Sequence, residues 1–216
     1  YDGQGFMVKK SLGVNQAKDL KNPRVCVQPH TTTEQNLADF FATNGMIFTP
    51  VHFTTDEQMA TAFENGQCQV LTNDKSALFS LRQGLERPQD AVVLPDTISK
   101  EPLGPMVRSD DDQWLKIVKW TVFALINAEE MGVSASNAAQ MKQSENPNIQ
   151  HMLGAKGDVG KKLGLNPDWA FQIIRQVGNY GEIYERNLGS KSALKIERGL
   201  NELWNKGGIL YAPPIR

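Results

Sequence analysis

Arg24-Val25-Cys26-Val27-Gln28-Pro29-His30-Thr31-Thr32-Thr33 runs a short apolar strand straight into three hydroxyls at the start of a helix. The strand reads over 24–28 and the helix over 33–44, closed by Gly45. Working outward, the same unit recurs. A strand at 47–53 precedes a helix at 55–65 closed by Gly66, and a strand at 68–73 precedes a helix at 75–83 closed by Gly84. A last strand falls at 91–94; upstream, 5–10 reads as a strand and 15–21 as a helical turn. Strands alternating with helices of about ten residues require crossover connections and a sheet covered on both faces. The fold class predicted is α/β, with one complete, doubly wound, mainly parallel five-stranded lobe.

The rhythm breaks at 95–105, where three prolines and Gly104 mark a crossing segment. Met106-Val107-Arg108 is a short strand candidate. Ser109-Asp110-Asp111-Asp112 then caps a long helix, since acidic residues suit the positive end of the helix dipole. Trp114, Ile117, Val118, Thr121, Leu125 and Ala128 recur at helical spacing, and Gly132 ends the run. A metal site at the Asp triplet is the weaker reading, because adjacent acids at a helix start form a solvated cap. Short helices are expected at 136–143 and 148–153, and longer ones at 167–179 and 193–204, with an extended tail beyond. The division is therefore 1–104, a complete lobe, and 105–216, a largely helical part without a sheet of its own. The tryptophans all fall in this second part, at spacings that suggest core.

A chain of 216 residues supports one large or two small domains. Its 22% charged residues with a net charge of −1 leave no electrostatic footprint for nucleic acid. No apolar run reaches the ~18 residues of a membrane-spanning helix. Beginning at Tyr1 and without a leader peptide, the chain reads as a processed product or a fragment. Cys26 and Cys68 lie in or just before two strands. They form either a disulfide, in an oxidising compartment, or two buried thiols acting as small apolar residues.

Two strand ends carry the candidate chemistry. Thr31–Thr33 sit where unpaired helix N–H groups and added hydroxyls favour a carboxylate or phosphate, although plain N-capping by Thr32 or Thr33 explains the same pattern. Asp74 opens the next helix and either caps it or faces a cleft beyond the strand ends, where it would pair with an ammonium. Carboxylate and ammonium recognition on neighbouring strands suits a zwitterion. His30 stands beside the threonines, and His52 and His151 read as structural or surface residues. No metal-ligand spacing, nucleophile elbow or phosphate loop is present, and neither metal nor cofactor is expected.

Several stretches together carry a resemblance. They are Tyr1-Asp2-Gly3-Gln4-Gly5-Phe6, Thr31-Thr32-Thr33-Glu34, Ile98-Ser99-Lys100-Glu101-Pro102-Leu103-Gly104-Pro105, Asp112-Gln113-Trp114, Val177-Gly178-Asn179-Tyr180-Gly181-Glu182 and Tyr211-Ala212-Pro213-Pro214. With these the chain resembles the periplasmic solute-binding proteins of polar amino-acid ABC transporters, across its whole length. The resemblance implies a non-enzymatic, two-lobed protein of type II that closes on an L-amino acid and docks on a transporter permease in the periplasm. It implies Thr32 and Thr33 at the ligand α-carboxylate and Asp74 at the α-amino group; Thr31 and His30 complete the candidate ligand-binding set. His30 departs from the pattern, because the family usually has glycine there.

The larger departure is at the front. The family has a further segment before the Tyr1 position, which forms most of the first lobe's sheet and supplies the arginine that clamps the carboxylate. The expectation is a truncated chain with weak or absent binding. Its helical part would leave apolar surface uncovered, a cost on the order of several kcal/mol. Three outcomes follow: a separate or lost N-terminal fragment, helices repacked on the intact lobe, or a domain-swapped homodimer. The rival functions are an enzyme on the same scaffold, dehydratase-like, with His30 as its acid or base, and a protein-interaction module using the exposed helical half.

Overall fold

The computed structural model describes residues 1–215, which divide into two compact units, Tyr1–Leu103 and Gly104 onward. The first unit is a five-stranded sheet of β1 (Gln4–Lys9), β2 (Arg24–Val27), β3 (Thr49–His52), β4 (Val70–Asp74) and β5 (Ala91–Val93), ordered β3-β2-β4-β1-β5. Its helices are α1 (Thr32–Thr43), α2 (Asp56–Glu64) and α3 (Lys75–Gly84). β2 runs parallel to β3 and β4, and β1 is antiparallel to both β4 and β5. Four strands therefore share one direction, and β1 is inserted against it. The reversal follows from its connection: β1 leads to β2 through two 3-10 turns, Lys10–Leu12 and Ala17–Asp19, not through a crossover helix.

Both faces of the sheet are covered at β1, β2 and β4, which is why these strands read as largely apolar runs, whereas the edge strand β3 is mostly exposed. Phe6, Val8, Val25, Val27, Leu37 and Phe41 pack under α1. Met7, Cys26, Met59, Phe63, Leu71 and Leu78 pack under α2 and α3 on the other face. Pro50 lies in β3, where it is tolerated because β3 is an edge strand. Gly3 and the crossing segment meet closely: a Cβ at Gly3 would lie 2.5 Å from the Ser99 carbonyl oxygen. The position of β1 is thus fixed by backbone on both sides.

The second unit is helical: α4 (Asp112–Glu130), α5 (Ala138–Met141), α6 (Pro147–Met152), α7 (Val159–Lys162), α8 (Trp169–Val177) and α9 (Tyr180–Asn187). Asp111 caps α4 by accepting from the Trp114 N–H at 2.9 Å. Ala124, Ala128, Val133, Met152, Leu153 and Ile174 form the centre of its core. A bidentate ion pair between Arg198 and Glu129, both nearly buried, holds the last segment to α4.

Three expectations fail here. Residues 106–108 form no strand; Met106 is 97% exposed, and the segment has no strand beside it to complete a ladder. The helix expected over 193–204 is absent, replaced by an irregular run and two 3-10 turns, Gly199–Asn201 and Trp204–Lys206. Gly199 and Lys195 take positive φ, and the Ser190 and Ser192 hydroxyls bond locally to Glu185 and the Gly189 carbonyl, offering the chain alternatives to helix. α9 was not anticipated, although Asn179 and Glu182 make a reciprocal capping box readable in the sequence. Nor are all tryptophans core. Trp169 is buried, whereas Trp114 and Trp204 are half exposed, Trp204 against Tyr211 and donating to Glu130.

Candidate functional site

The turn from β2 into α1 is tightly specified. Thr31 is the N-cap: its Oγ1 accepts from the Glu34 N–H at 3.2 Å and donates to the Gln28 carbonyl at 2.8 Å. Capping therefore falls to Thr31, not to Thr32 or Thr33. The reason is geometric, since Thr31 is the last residue with extended dihedrals and the next two are already helical. Thr31 thus spends its hydroxyl on the fold. Among the described residues, no hydrogen bond engages the Thr32 or Thr33 hydroxyl, and they stand in the first turn beside its unpaired N–H groups.

His30 takes φ +61°, the left-handed region that favours glycine. This gives the physical reason for the glycine of the resemblance. The His30 N–H donates to Glu34 Oε2 at 2.8 Å, and Glu34 Oε1 pairs with His52 Nε2 at 2.6 Å. The His30 N–H foremost, with the His52 imidazole, holds the Glu34 carboxyl below its ordinary value. Replacing His30 by glycine should relieve roughly 1–2 kcal/mol of left-handed strain against about 0.4–1 kcal/mol of added chain entropy. A net gain of up to about 1.6 kcal/mol in urea unfolding is expected. A clear loss would show that the imidazole contributes contacts that outweigh the strain.

Asp74 ends β4 and precedes α3, but its side chain makes no capping hydrogen bond. Thr72 and Asp74 are two residues apart on one strand and so share the α1 face. That direction carries the Asp74 carboxylate away from α3. Its neighbours are acidic, and each is engaged elsewhere. Asp2 accepts from the Gly3 and Ser76 N–H groups, Asp56 from the Asn73 amide at 3.0 Å, and Glu101 from the Ser99 hydroxyl at 2.9 Å. Burial first, then Asp2, Glu101 and Asp56, raise the Asp74 carboxyl above its ordinary value. Lys75 brings no relief; its Nζ bonds to the Pro95 carbonyl and the Thr97 hydroxyl. An uncapped carboxylate in a negative field is chemically suited to a cation with hydrogen-bond donors.

Cys26 and Cys68 are joined by a disulfide, Cα–Cα 5.7 Å, under α2 and α3. Among the described residues, no group of three or more His, Cys, Asp or Glu side chains is placed to hold a metal ion. None of the helices described is long and apolar enough to cross a membrane.

The chain is 55% identical over its whole length to the general L-amino acid-binding periplasmic protein of Rhizobium johnstonii. It is 49% identical, again over its whole length, to the glutamate/glutamine/aspartate/asparagine-binding protein of Rhodobacter capsulatus. In each case it spans 64% of the relative's length. A solved ABC-transporter periplasmic binding protein from Brucella ovis, with glutathione bound, superposes with a TM-score of 0.94. That structure is 49% identical, matches all of this chain and is itself 68% covered. The chain belongs to the periplasmic binding proteins of ABC transporters. As a member of that family it has relatives that are transport-binding proteins and not enzymes. No family model matches the sequence.

Proposed function

We propose that this chain is the amino-acid-recognising part of the solute-binding component of an ABC importer. Thr32 and Thr33, with the α1 N–H groups, hold the α-carboxylate, and Asp74 holds the α-ammonium. The observation that carries the reading is the uncapped Asp74 carboxylate, on the same sheet face as a helix start with two unengaged hydroxyls. The relatives' names support the substrate class, and so does glutathione, whose γ-glutamyl end presents an α-ammonium and an α-carboxylate.

In this reading 1–104 is the ligand-binding lobe and 105–216 belongs to the other lobe. Exposed Met106, Trp114, Leu115 and Tyr211 support further polypeptide covering the helical unit in the complete protein. The buried disulfide supports an oxidising, periplasmic location, and the closed, loaded form would be what a permease engages. The chain spans 64% of its relatives; this reading assigns the groups that complete the half-site to the length not matched here, so that the chain alone would bind weakly.

Titrating the nitrogen-15-labelled chain with L-glutamate and L-alanine tests this. Shifts are expected at the Thr32, Thr33 and Asp74 amides, with midpoints on the order of millimolar. Silence at those amides overturns the site, and micromolar binding overturns the impairment.

A further inference from the structure

We infer that Gln4 is a positioning residue that sets the spacing between the carboxylate half-site at Thr32–Thr33 and the ammonium half-site at Asp74. The inference rests on the amino-acid-binding reading above. Gln4 is 1% exposed and lies directly opposite Asp74 in the β1–β4 register. Cross-strand partners share a face, so the Gln4 side chain stands on the α1 side of the sheet beside that of Asp74. Its Nε2 donates one hydrogen bond to the Thr33 carbonyl and one to Thr72 Oγ1, both at 2.9 Å. Thr72 Oγ1 in turn donates to the Gly5 carbonyl at 2.8 Å, so it can only accept from Gln4. The orientation of the amide is thereby settled by its partners. One side chain joins β1, the first turn of α1 and the strand that ends at Asp74.

The other end of the amide shows why the residue is there. Among the described residues, Gln4 Oε1 is buried and has no hydrogen-bond partner. A buried acceptor left unmet carries a desolvation cost, and an apolar side chain of similar shape would avoid it. Stability alone does not account for glutamine at this position. What glutamine supplies and methionine cannot is the pair of N–H donors that fastens α1 to β4.

Holding two half-sites at one spacing matters only to a ligand that engages both at once. A zwitterion then gains over either charged group alone, as linked binding groups do. The variants Gln4→Met and Thr72→Val break the bridge from its two ends, and Thr72→Ser keeps the hydroxyl. Each, and the unaltered chain, is titrated by nitrogen-15 NMR with L-alanine, acetate and methylammonium, and its urea midpoint is measured.

In the unaltered chain L-alanine is expected to bind more tightly than acetate or methylammonium. Gln4→Met should weaken L-alanine by about tenfold. Acetate shifts at Thr32 and Thr33 and methylammonium shifts at Asp74 should change little, and the urea midpoint should hold or rise. Thr72→Val should lose the same preference, and Thr72→Ser should retain it. If Gln4→Met keeps the preference for L-alanine, the positioning role is wrong while amino-acid binding stands. If the urea midpoint falls and all three ligands weaken together, the role is structural and the inference fails. An unaltered chain that shows no preference for L-alanine overturns both readings.

Discussion

Asp74→Asn is expected to weaken amino-acid binding by at least about 30-fold while making the ligand-free protein more stable at neutral pH. Removing one partner of a hydrogen-bonded charge pair costs roughly 2–5 kcal/mol, much of it from the charge left without its counterpart. The stability change has the opposite sign for an equally local reason. Burial and the carboxylates of Asp2, Glu101 and Asp56 raise the folded-state value of Asp74 above 3.8. Between the unfolded and folded values the folded chain binds more protons, so stability falls as pH rises through that interval. Above the folded value the penalty is present in full, and asparagine removes it without changing the shape of the side chain. The urea midpoint of the variant should therefore exceed that of the parent at neutral pH, and the difference should vanish in acid, below 3.8. A variant less stable than its parent at neutral pH would show that Asp74 has a favourable partner in the ligand-free protein.

The same electrostatics give binding its pH dependence. Only the ionised carboxylate attracts an ammonium, and the bound ammonium lowers the Asp74 value by opposing its acidic neighbours. Binding should strengthen as pH rises through the raised Asp74 value, with proton release on binding in that range. In the proposed site, the destabilising field is the feature that a cationic ligand group would convert into affinity.

How far the sequence disclosed this arrangement differs between the two units. In the first, apolar strands and glycine-closed helices specify the elements locally, and both strand ends stood out by residue type. Local pattern does not fix strand order, so the reversal of β1 between β4 and β5 could not be read from it. Nor was the Gln4 bridge legible, because it joins residues 29 and 68 positions apart through the sheet register. In the second unit apolar spacing suggested a helix over 193–204, but Gly189, Gly199 and the serine hydroxyls decide the backbone there. The capping box at Asn179 is a local signal, legible from residue types alone. His30 was visible as a departure from the resemblance; that it occupies left-handed backbone needed coordinates.

Replacing both Cys26 and Cys68 by alanine, or reducing their bond, is expected to destabilise the first unit by about 4 kcal/mol. The bond closes a loop with a sequence separation of 42, and the chain-entropy relation gives about that magnitude. The loop contains α1, β3 and α2, so the cross-link restricts much of the unfolded first unit. Both sulfurs are buried among Met59, Phe63 and Leu71, and their loss also leaves apolar contacts unfilled. Against a typical total of about 5–15 kcal/mol this is a large share. The tryptophans offer a clean control, because all four lie in the second unit, between 114 and 204. With reductant, the urea midpoint followed by circular dichroism should split or fall, while tryptophan fluorescence should hold its midpoint. Fluorescence falling in step would mean that the units unfold together, and an unmoved circular-dichroism midpoint would refute the stabilisation. A unit that depends so heavily on this bond folds well only where thiols are oxidised, which is the condition the proposed periplasmic role supplies.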